Sequence, residues 1–434
     1  MVKIGLISLG CAKNLVDSEI ILGMLKRSDI ELTNTLEESD IVIINTCGFI
    51  EASKKESIEN IFDVISKNKK VIVTGCLVER YKEELMKAIP EVTAWVKISD
   101  YMHLNEVIEE VINEKEIHLE AFNPFYRLLS TPPFMAYLRI SEGCNNCCTY
   151  CAIPLIRGPF RSRKMEDVIK EANLLKDNGI KELVLISQDT TRYGSDFKDK
   201  DISIVTLLKE LLKIKEFISI RLLYLYPDEI TEELIDLIKD NQRVIAPYFD
   251  IPFQHASNKV LKDMNRRGTL EDYMALTNLI RAKIPNAILR TTYIVGFPGE
   301  TDEDFTSLMN FTKYARFDHM GAFTYSREDG TKSYDYPNQI DEKIKQERYQ
   351  EIMKIQKVIS YEKNKEHIDE IMEGIVLNYD PKAKQYTLRS YWNAPDDIDG
   401  NIYFASKKEH APGDIVKVKI TSAFVYDLYG EELE

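Results

Sequence analysis

The chain has no run of eighteen consecutive apolar residues, about the length a helix needs to cross a bilayer, so no transmembrane helix is expected. The opening MVKIGLISLG carries one lysine and runs straight into a strand-like segment. It lacks the long apolar core and small-residue cleavage site of a secretion signal, and a cytoplasmic protein without membrane attachment is expected. There is no surplus of positive charge either. The formal net charge is −14, whereas a protein that lives by gripping phosphates usually carries a basic surface; a basic partner suits this chain better. Cysteine is sparse, with seven residues, and an odd number in a reducing compartment argues against a disulfide framework. Four of the seven fall within residues 144–151, which points to metal or cluster ligation. Internal repeats and low-complexity segments are absent.

What is present is the balance of a soluble globular protein, 44% apolar and 29% charged. At 434 residues the chain exceeds one ordinary core, so two or three domains are expected. Residues 1–117 alternate strand-like runs (3–10, 40–46, 69–75) with helix-period stretches (17–27, 57–67), the pattern of a parallel α/β sheet covered on both faces. A proline-bearing stretch within 118–133 reads as a linker. Six strand candidates follow (134–141, 181–187, 219–227, 248–254, 287–297, 319–326), separated by helices such as 165–179, 229–240 and 302–315. Six such units predict a partial TIM-like (β/α)6 barrel with its chemistry at the C-terminal strand ends. A charged helix (341–366) completes this region, 134–366. From 367 to 434 only short strands remain, a small β-barrel of the OB type.

The first barrel strand leads into Cys144-x3-Cys148-x2-Cys151. Three thiolates in one tight loop can hold three irons of a 4Fe–4S cubane and leave the fourth open, as a substrate-binding metal requires. The amine and carboxylate of S-adenosylmethionine could chelate that iron, and one-electron reduction would release methionine and a 5′-deoxyadenosyl radical. A zinc site can be written from the pairs Cys144/Cys147 and Cys148/Cys151. Zinc ribbons, however, separate their pairs by roughly a dozen residues or more, and here the pairs abut. Cys147 is then a passive thiol.

Cys11, Cys47 and Cys76 each follow a strand pattern directly: ISLGC, IINTC and IVTGC. In a parallel sheet the strand C-termini share one edge, where ligands bind, so residues far apart in sequence can converge. Gly10, Gly48 and Gly75 would let the backbone approach a bulky inorganic group. Three inert core cysteines are the alternative, but all three occupy the same topological position. A second three-cysteine 4Fe–4S cluster is expected, with an open iron for a sulfur species.

Together these residues resemble the radical S-adenosylmethionine methylthiotransferases over essentially the whole chain, including a C-terminal TRAM domain. Three stretches are similar to the branch that methylthiolates an aspartate of small-subunit ribosomal protein twelve: Ser8-Leu-Gly-Cys11-Ala-Lys-Asn-Leu-Val-Asp-Ser-Glu19, Gln254 to Arg266, and Arg389 to Gly400. The tRNA-modifying relatives typically carry Gln-Met-Asn after the first cysteine and lack the Ala-Pro-x-x-Asp-Gly-like segment. This chain departs slightly, with an extra residue in Ala-Pro-Asp-Asp-Ile-Asp-Gly and with Cys147 where the family usually has a basic or polar residue.

The resemblance implies two 4Fe–4S clusters, two uses of S-adenosylmethionine, an electron donor such as flavodoxin or ferredoxin, a sulfur source and a monomer. One S-adenosylmethionine would methylate a sulfur on the N-terminal cluster; a second would give the radical that takes a β-hydrogen from the target aspartate. No side chain beyond the cluster ligands is assigned to catalysis. S-adenosylmethionine contacts are expected at strand ends: Ser187, Gln188 and Asp189 after the second barrel strand, Gln254 and His255 after the fourth, Arg290 in the fifth, and Val295 and Gly296 in the loop Ile294–Glu300. The basic run Arg157, Arg161, Arg163 reads either as a contact to cofactor or substrate or as a solvated loop.

Two rival functions remain at this point. A tRNA adenosine methylthiotransferase would keep the chemistry, but from His367 onward there are 13 acidic against 7 basic side chains, and a nucleic-acid-binding barrel should be basic and often aromatic. An acidic one suits a cationic ribosomal protein. A two-cluster electron carrier would generally offer four cysteines per cluster, and both sites here have three.

Overall fold

A computed structural model describes residues 1–26, 29–113, 117–395 and 398–433. Asp396 and Asp397 of the branch-marking segment lie outside the described residues.

Five strands, β1 (Val2–Ser8), β2 (Ile30–Thr33), β3 (Ile41–Thr46), β4 (Lys70–Gly75) and β5 (Ala94–Val96), form one parallel sheet in the order β2-β1-β3-β4-β5. The helices α1 (Ala12–Leu25), α2 (Glu51–Ser66), α3 (Cys76–Ala88) and α4 (Leu104–Ile112) accompany it. β3 is buried along its whole length, as its unbroken apolar run requires. The order reverses between β1 and β3, and a doubly wound sheet opens its ligand crevice at such a switch point. Helix α1 starts at Ala12, not near Asp17 as periodicity suggested. Its first turns bury Ala12, Lys13, Asn14, Asp17 and Ser18 because the barrel packs on the side away from the sheet, so no amphipathic stripe appears. β2 and β5 escaped pattern reading because they are only four and three residues long.

The central region begins with β6 (Met135–Arg139) and the small hairpin of β7 (Ser141–Glu142) and β8 (Arg161–Ser162), which encloses α5 (Ile153–Arg157). Then follow α6 (Met165–Asp177), β9 (Glu182–Ile186), α7 (Ile204–Leu211), β10 (Ser219–Leu222), α8 (Glu232–Asp240), β11 (Tyr248–Asp250), α9 (Asn258–Asp263), α10 (Leu270–Lys283), β12 (Ile288–Val295), α11 (Asp302–Ala315), β13 (His319–Thr324) and α12 (Glu342–Glu366). The strands form two parallel triplets, β6-β9-β10 and β11-β12-β13, linked by a parallel bridge at Ile220 and Ile245. This is the expected open six-stranded barrel. β10 and β11 are shorter than their apolar runs, and the chain beyond them turns to φ 62° at Tyr224 and 69° at Gln254.

At the C-terminal end, β14 (Ile371–Asp380), β15 (Gln385–Arg389), β16 (Ile402–Ala405), β17 (Ile415–Ala423) and β18 (Leu428–Glu432) close a barrel in the order β14-β15-β16-β18-β17. The last apolar run is thus two strands rather than one.

The segment marking the ribosomal-protein branch is a structural plug. Trp392 is fully buried and its carbonyl lies 2.9 Å from His319 Nε2. Asp399 accepts from Tyr248 Oη (2.6 Å) and Arg290 Nε (3.2 Å), and Arg221 donates to the Ser390 carbonyl (2.7 Å). Tyr248 and His319 are the first residues of their strands, so the plug fills the N-terminal end of the barrel and leaves the C-terminal end free. Trp392→Ala is expected to cost about 3–5 kcal/mol, measured by denaturant unfolding; a loss below about 1 kcal/mol would show that Trp392 does not anchor the small barrel.

The stretch expected to be a linker is strapped down. Arg127 pairs with Glu19 of α1 (2.5 Å) and Glu171 of α6 (2.6 Å), all three nearly inaccessible. On the opposite flank, buried Glu328 after β13 takes Arg80 (2.9 Å) and Lys54 (3.1 Å) from α3 and α2. The N-terminal sheet is therefore clamped over the barrel, with its strand C-termini towards the barrel mouth. Among the described residues no helix is long and apolar enough to cross a membrane.

Candidate active site between two cysteine triads

Cys11 is the N-cap of α1, Cys47 follows β3 directly, and Cys76 opens α3. The three stand at the C-terminal ends of β1, β3 and β4, around the switch point. Two of them start helices, where backbone N–H groups favour a thiolate. Gly10 has φ 91°, and a Cβ there would fall 2.8 Å from Cys47 Cβ and 3.0 Å from its sulfur, so glycine is needed to bring these loops together. Gly48 and Gly75 do a different job from the one expected. A Cβ on Gly48 would strike the Leu77 backbone, and one on Gly75 the Thr46 backbone; both serve close packing between neighbouring elements.

Asn14 organises this triad, and its role was not legible as a site residue in the sequence. Its Nδ2 donates to the carbonyls of Leu9 and Thr46, both at 3.0 Å, and its Oδ1 accepts from Cys76 Sγ at 3.2 Å. Arg157, at the end of α5, reaches the same place: Nη2 lies 2.6 Å from Asn14 Oδ1 and 3.7 Å from Cys76 Sγ, and Nη1 pairs with Asp17 at 2.7 Å. It is buried rather than a solvated loop residue, and it faces the N-terminal triad. Arg163 pairs with Glu171, and Arg161 is exposed.

The central cysteines lie on a loop held from several sides. Gly143 has φ 75°, and a Cβ there would collide with the Pro159 carbonyl at 2.2 Å. Backbone N–H groups of Asn146 and Ile153 approach Cys144 and Cys151 sulfurs at 3.5 Å, and Tyr226 Oη lies 3.7 Å from Cys148 Sγ. Cys147 is exposed, with φ 52°, and Asn265 Nδ2 holds its carbonyl at 3.0 Å. Tyr226 and Arg266, whose guanidinium lies 4.2 Å from the Tyr226 ring centroid, are further site residues that pattern reading missed.

Burial pushes the Cys76 thiol up to about 12 and Cys144 to about 11, and raises Cys47 and Cys151 as well; within each triad the neighbouring cysteines push in the same direction. Such thiols favour the neutral form until a cationic centre displaces their protons. The donor sets fit iron–sulfur cubanes. Each triad gathers three soft sulfurs, N–H groups point at two of the central ones, and glycine opens the loops. Among the described residues no three His, Cys, Asp or Glu side chains converge on a single metal ion, whereas a cubane takes one thiolate per iron.

The expected cofactor contacts divide. Ser187 is buried and its Oγ hydrogen-bonds Ser141 Oγ. Gln188 Nε2 donates to Glu142 (2.8 Å). Asp189 accepts from Asn146 (2.8 Å) and Thr191 (2.8 Å), so it ties the cysteine loop to β9. Among the described residues, Gln188 Oε1, Gln254 Oε1 and Asn146 Oδ1 are buried without a partner, acceptors that an entering donor could satisfy. His255 is buried between Ser257 N–H (3.0 Å) and Glu300 (3.6 Å). Three of the expected residues are engaged within the protein itself. Arg290 is taken up by Asp250 (2.8 Å) and Asp399 (3.2 Å) beside the plug. Val295 is in the barrel core. Gly296 packs against Lys345, where a Cβ would meet its Cγ at 2.3 Å, and its N–H donates to Glu300.

A three-cysteine loop at the mouth of an open six-stranded barrel, under a second triad on a doubly wound sheet, defines a radical S-adenosylmethionine enzyme. Residues 138–312 match the radical SAM superfamily, residues 3–97 the uncharacterized protein family UPF0004, and residues 369–432 the TRAM domain. The chain is 47% identical to ribosomal protein uS12 methylthiotransferase RimO of Acetivibrio thermocellus, over 99% of this chain and 98% of that one. It is 48% identical to RimO of Aquifex aeolicus over 100% and 98%. The chain belongs to this RimO family of radical S-adenosylmethionine methylthiotransferases. Among solved structures, the radical S-adenosylmethionine methyltransferase TsrM from Kitasatospora setae shares the fold, with a TM-score of 0.54, 14% identity and 75% of each chain covered.

Proposed function

We propose that this chain attaches a methylthio group to the β-carbon of an aspartate in small-subunit ribosomal protein uS12, with Cys144, Cys148 and Cys151 holding one 4Fe–4S cluster and Cys11, Cys47 and Cys76 holding a second. The observation that carries this reading is the pair of cysteine triads facing one barrel mouth. When bound, the central cluster with S-adenosylmethionine supplies a carbon radical and the N-terminal cluster supplies sulfur, the reactivity that an unactivated C–H bond demands.

The residues of the chain supply position. Asn146 and Asp189 fix the central loop on β9. Gln188 and Gln254, with unsatisfied oxygens, receive the methionyl amine, and Ser187 braces the end of that strand. Asn14 and Arg157 hold the N-terminal triad against α5. Residues 1–117 make the sulfur-donor unit, 134–366 the radical unit and 367–434 the acidic barrel that meets the cationic substrate. The enzyme works in the cytoplasm as a monomer, with a flavodoxin or ferredoxin as reductant and a separate sulfur source.

Anaerobically reconstituted protein, given S-adenosylmethionine and reductant, is expected to add a methylthio group to isolated uS12 by mass spectrometry and none to tRNA. The opposite partition would overturn the substrate assignment.

A further inference from the structure

Lys13, two residues after Cys11, leaves the N-terminal sheet and enters the barrel mouth. It is 8% exposed. Its Nζ donates to the carbonyl of Ser187 at 3.2 Å, at the end of β9, and sits 3.5 Å from the centroid of the Tyr224 ring, just past the end of β10. Tyr224 is held at φ 62°, a conformation costly for an aromatic residue and typical of functional sites, and its N–H donates to Asp250 at the end of β11 (2.9 Å). One domain thus places an ammonium over strand ends of the other, where the barrel does its chemistry.

The ammonium has three donors, and its only hydrogen bond among the described residues is to the Ser187 carbonyl. Glu142 and Asp250 face it, but both are committed to arginines, Glu142 to Arg139 (3.0 Å) and Asp250 to Arg290 (2.8 Å). No ion pair of Lys13 is formed among the described residues. A nearly buried cation with no anion of its own is costly, and the cost is offset when an anionic ligand enters.

We propose that Lys13 is a specificity-determining residue that binds the side-chain carboxylate of the aspartate being modified. This rests on the function proposed above. The carbon to be modified must lie between the two triads. Lys13 occupies that interval, joined by two residues to Cys11 on the sulfur side and by a hydrogen bond to Ser187 on the radical side. A carboxylate held there leaves its adjacent β-carbon in the same gap. The cation–π contact with Tyr224 keeps the ammonium in place before substrate arrives.

The test is equilibrium binding of labelled uS12 to the full-length, cluster-loaded, unreduced protein. Wild type is expected to bind uS12 about ten- to a hundredfold more tightly than uS12 carrying Asn at the target position. Lys13→Met should erase that preference and Lys13→Arg keep part of it, with S-adenosylmethionine affinity and iron content unchanged. Equal affinity of wild type for the Asp and Asn substrates would overturn the proposal even if Lys13→Met folded poorly. So would a loss of S-adenosylmethionine binding in Lys13→Met with the Asp preference retained, since the anion would then be the cofactor's. Failure of wild type to modify uS12 at all would instead count against the function itself.

Discussion

Cys148→Ala is expected to abolish formation of 5′-deoxyadenosine from S-adenosylmethionine and to lower iron content by one cluster, while Cys147→Ala leaves both at the wild-type level. The two residues are adjacent, so the contrast isolates ligation from loop disruption. Cys148 Sγ points inward to Tyr226 Oη and adds to the raised pKa of both Cys144 and Cys151, which places it within the triad. Cys147 is exposed in the left-handed region, and among the described residues only its carbonyl is held. With two thiolates left, a cubane loses a third of its protein ligands, and the open iron that binds S-adenosylmethionine loses its frame. Anaerobic iron and sulfide analysis together with chromatography of the nucleoside product checks this. Loss of the cluster in Cys147→Ala but not in Cys148→Ala would sink the ligand assignment.

The second large effect is expected from Arg157→Gln. Arg157 pairs with Asp17 (2.7 Å), which also pairs with Arg139 (2.6 Å), and all three are largely inaccessible. Removing Arg157 leaves the buried Asp17 carboxylate with Arg139 as its remaining arginine, and the lost charged hydrogen bonds cost about 1.5–3 kcal/mol. The same guanidinium is the link from α5, which begins two residues after Cys151, to Cys76 and Asn14 at the other triad. The variant should therefore be less stable in urea and slower in sulfur insertion, yet still cleave S-adenosylmethionine. Stability unchanged within about 0.5 kcal/mol would refute the role given to this pair.

The network also sets an acid limit. Burial opposes ionisation of Asp17, but Arg139 and Arg157 outweigh it and hold the carboxyl below its ordinary value. Because the folded value lies below the unfolded one, the stabilisation is present above about pH 4 and is lost as the pH falls through the folded value. Asp17→Asn should flatten that part of the stability–pH curve, read by thermal unfolding between acidic and neutral buffers.

Much of the site was legible because cysteine is rare here and its spacing is chemically specific. Cys144, Cys148 and Cys151 are close in sequence, so their convergence needs no knowledge of the fold. Cys11, Cys47 and Cys76 could be brought together only because parallel strands align their C-terminal ends. The cofactor contacts were harder. Arg290 and Gln254 both sit at strand positions that suit a ligand, yet Arg290 is consumed by Asp250 and Asp399, while Gln254 keeps an unsatisfied oxygen. That difference depends on Asp399, more than a hundred residues away in the chain, which no local pattern can reveal.

The sequence by itself determined the three kinds of architecture, the two cysteine triads and the family, because apolar periodicity and ligand spacing are local properties written along the chain. Only the tertiary structure decided that Lys13 enters the barrel mouth, that Arg157 serves the N-terminal triad from the barrel side, and that Trp392 and Asp399 plug the opposite end. These are contacts between domains. Their partners are fixed by how buried surfaces pack and by which charges must be paired once water is excluded, and neither is encoded in the neighbours of any one residue.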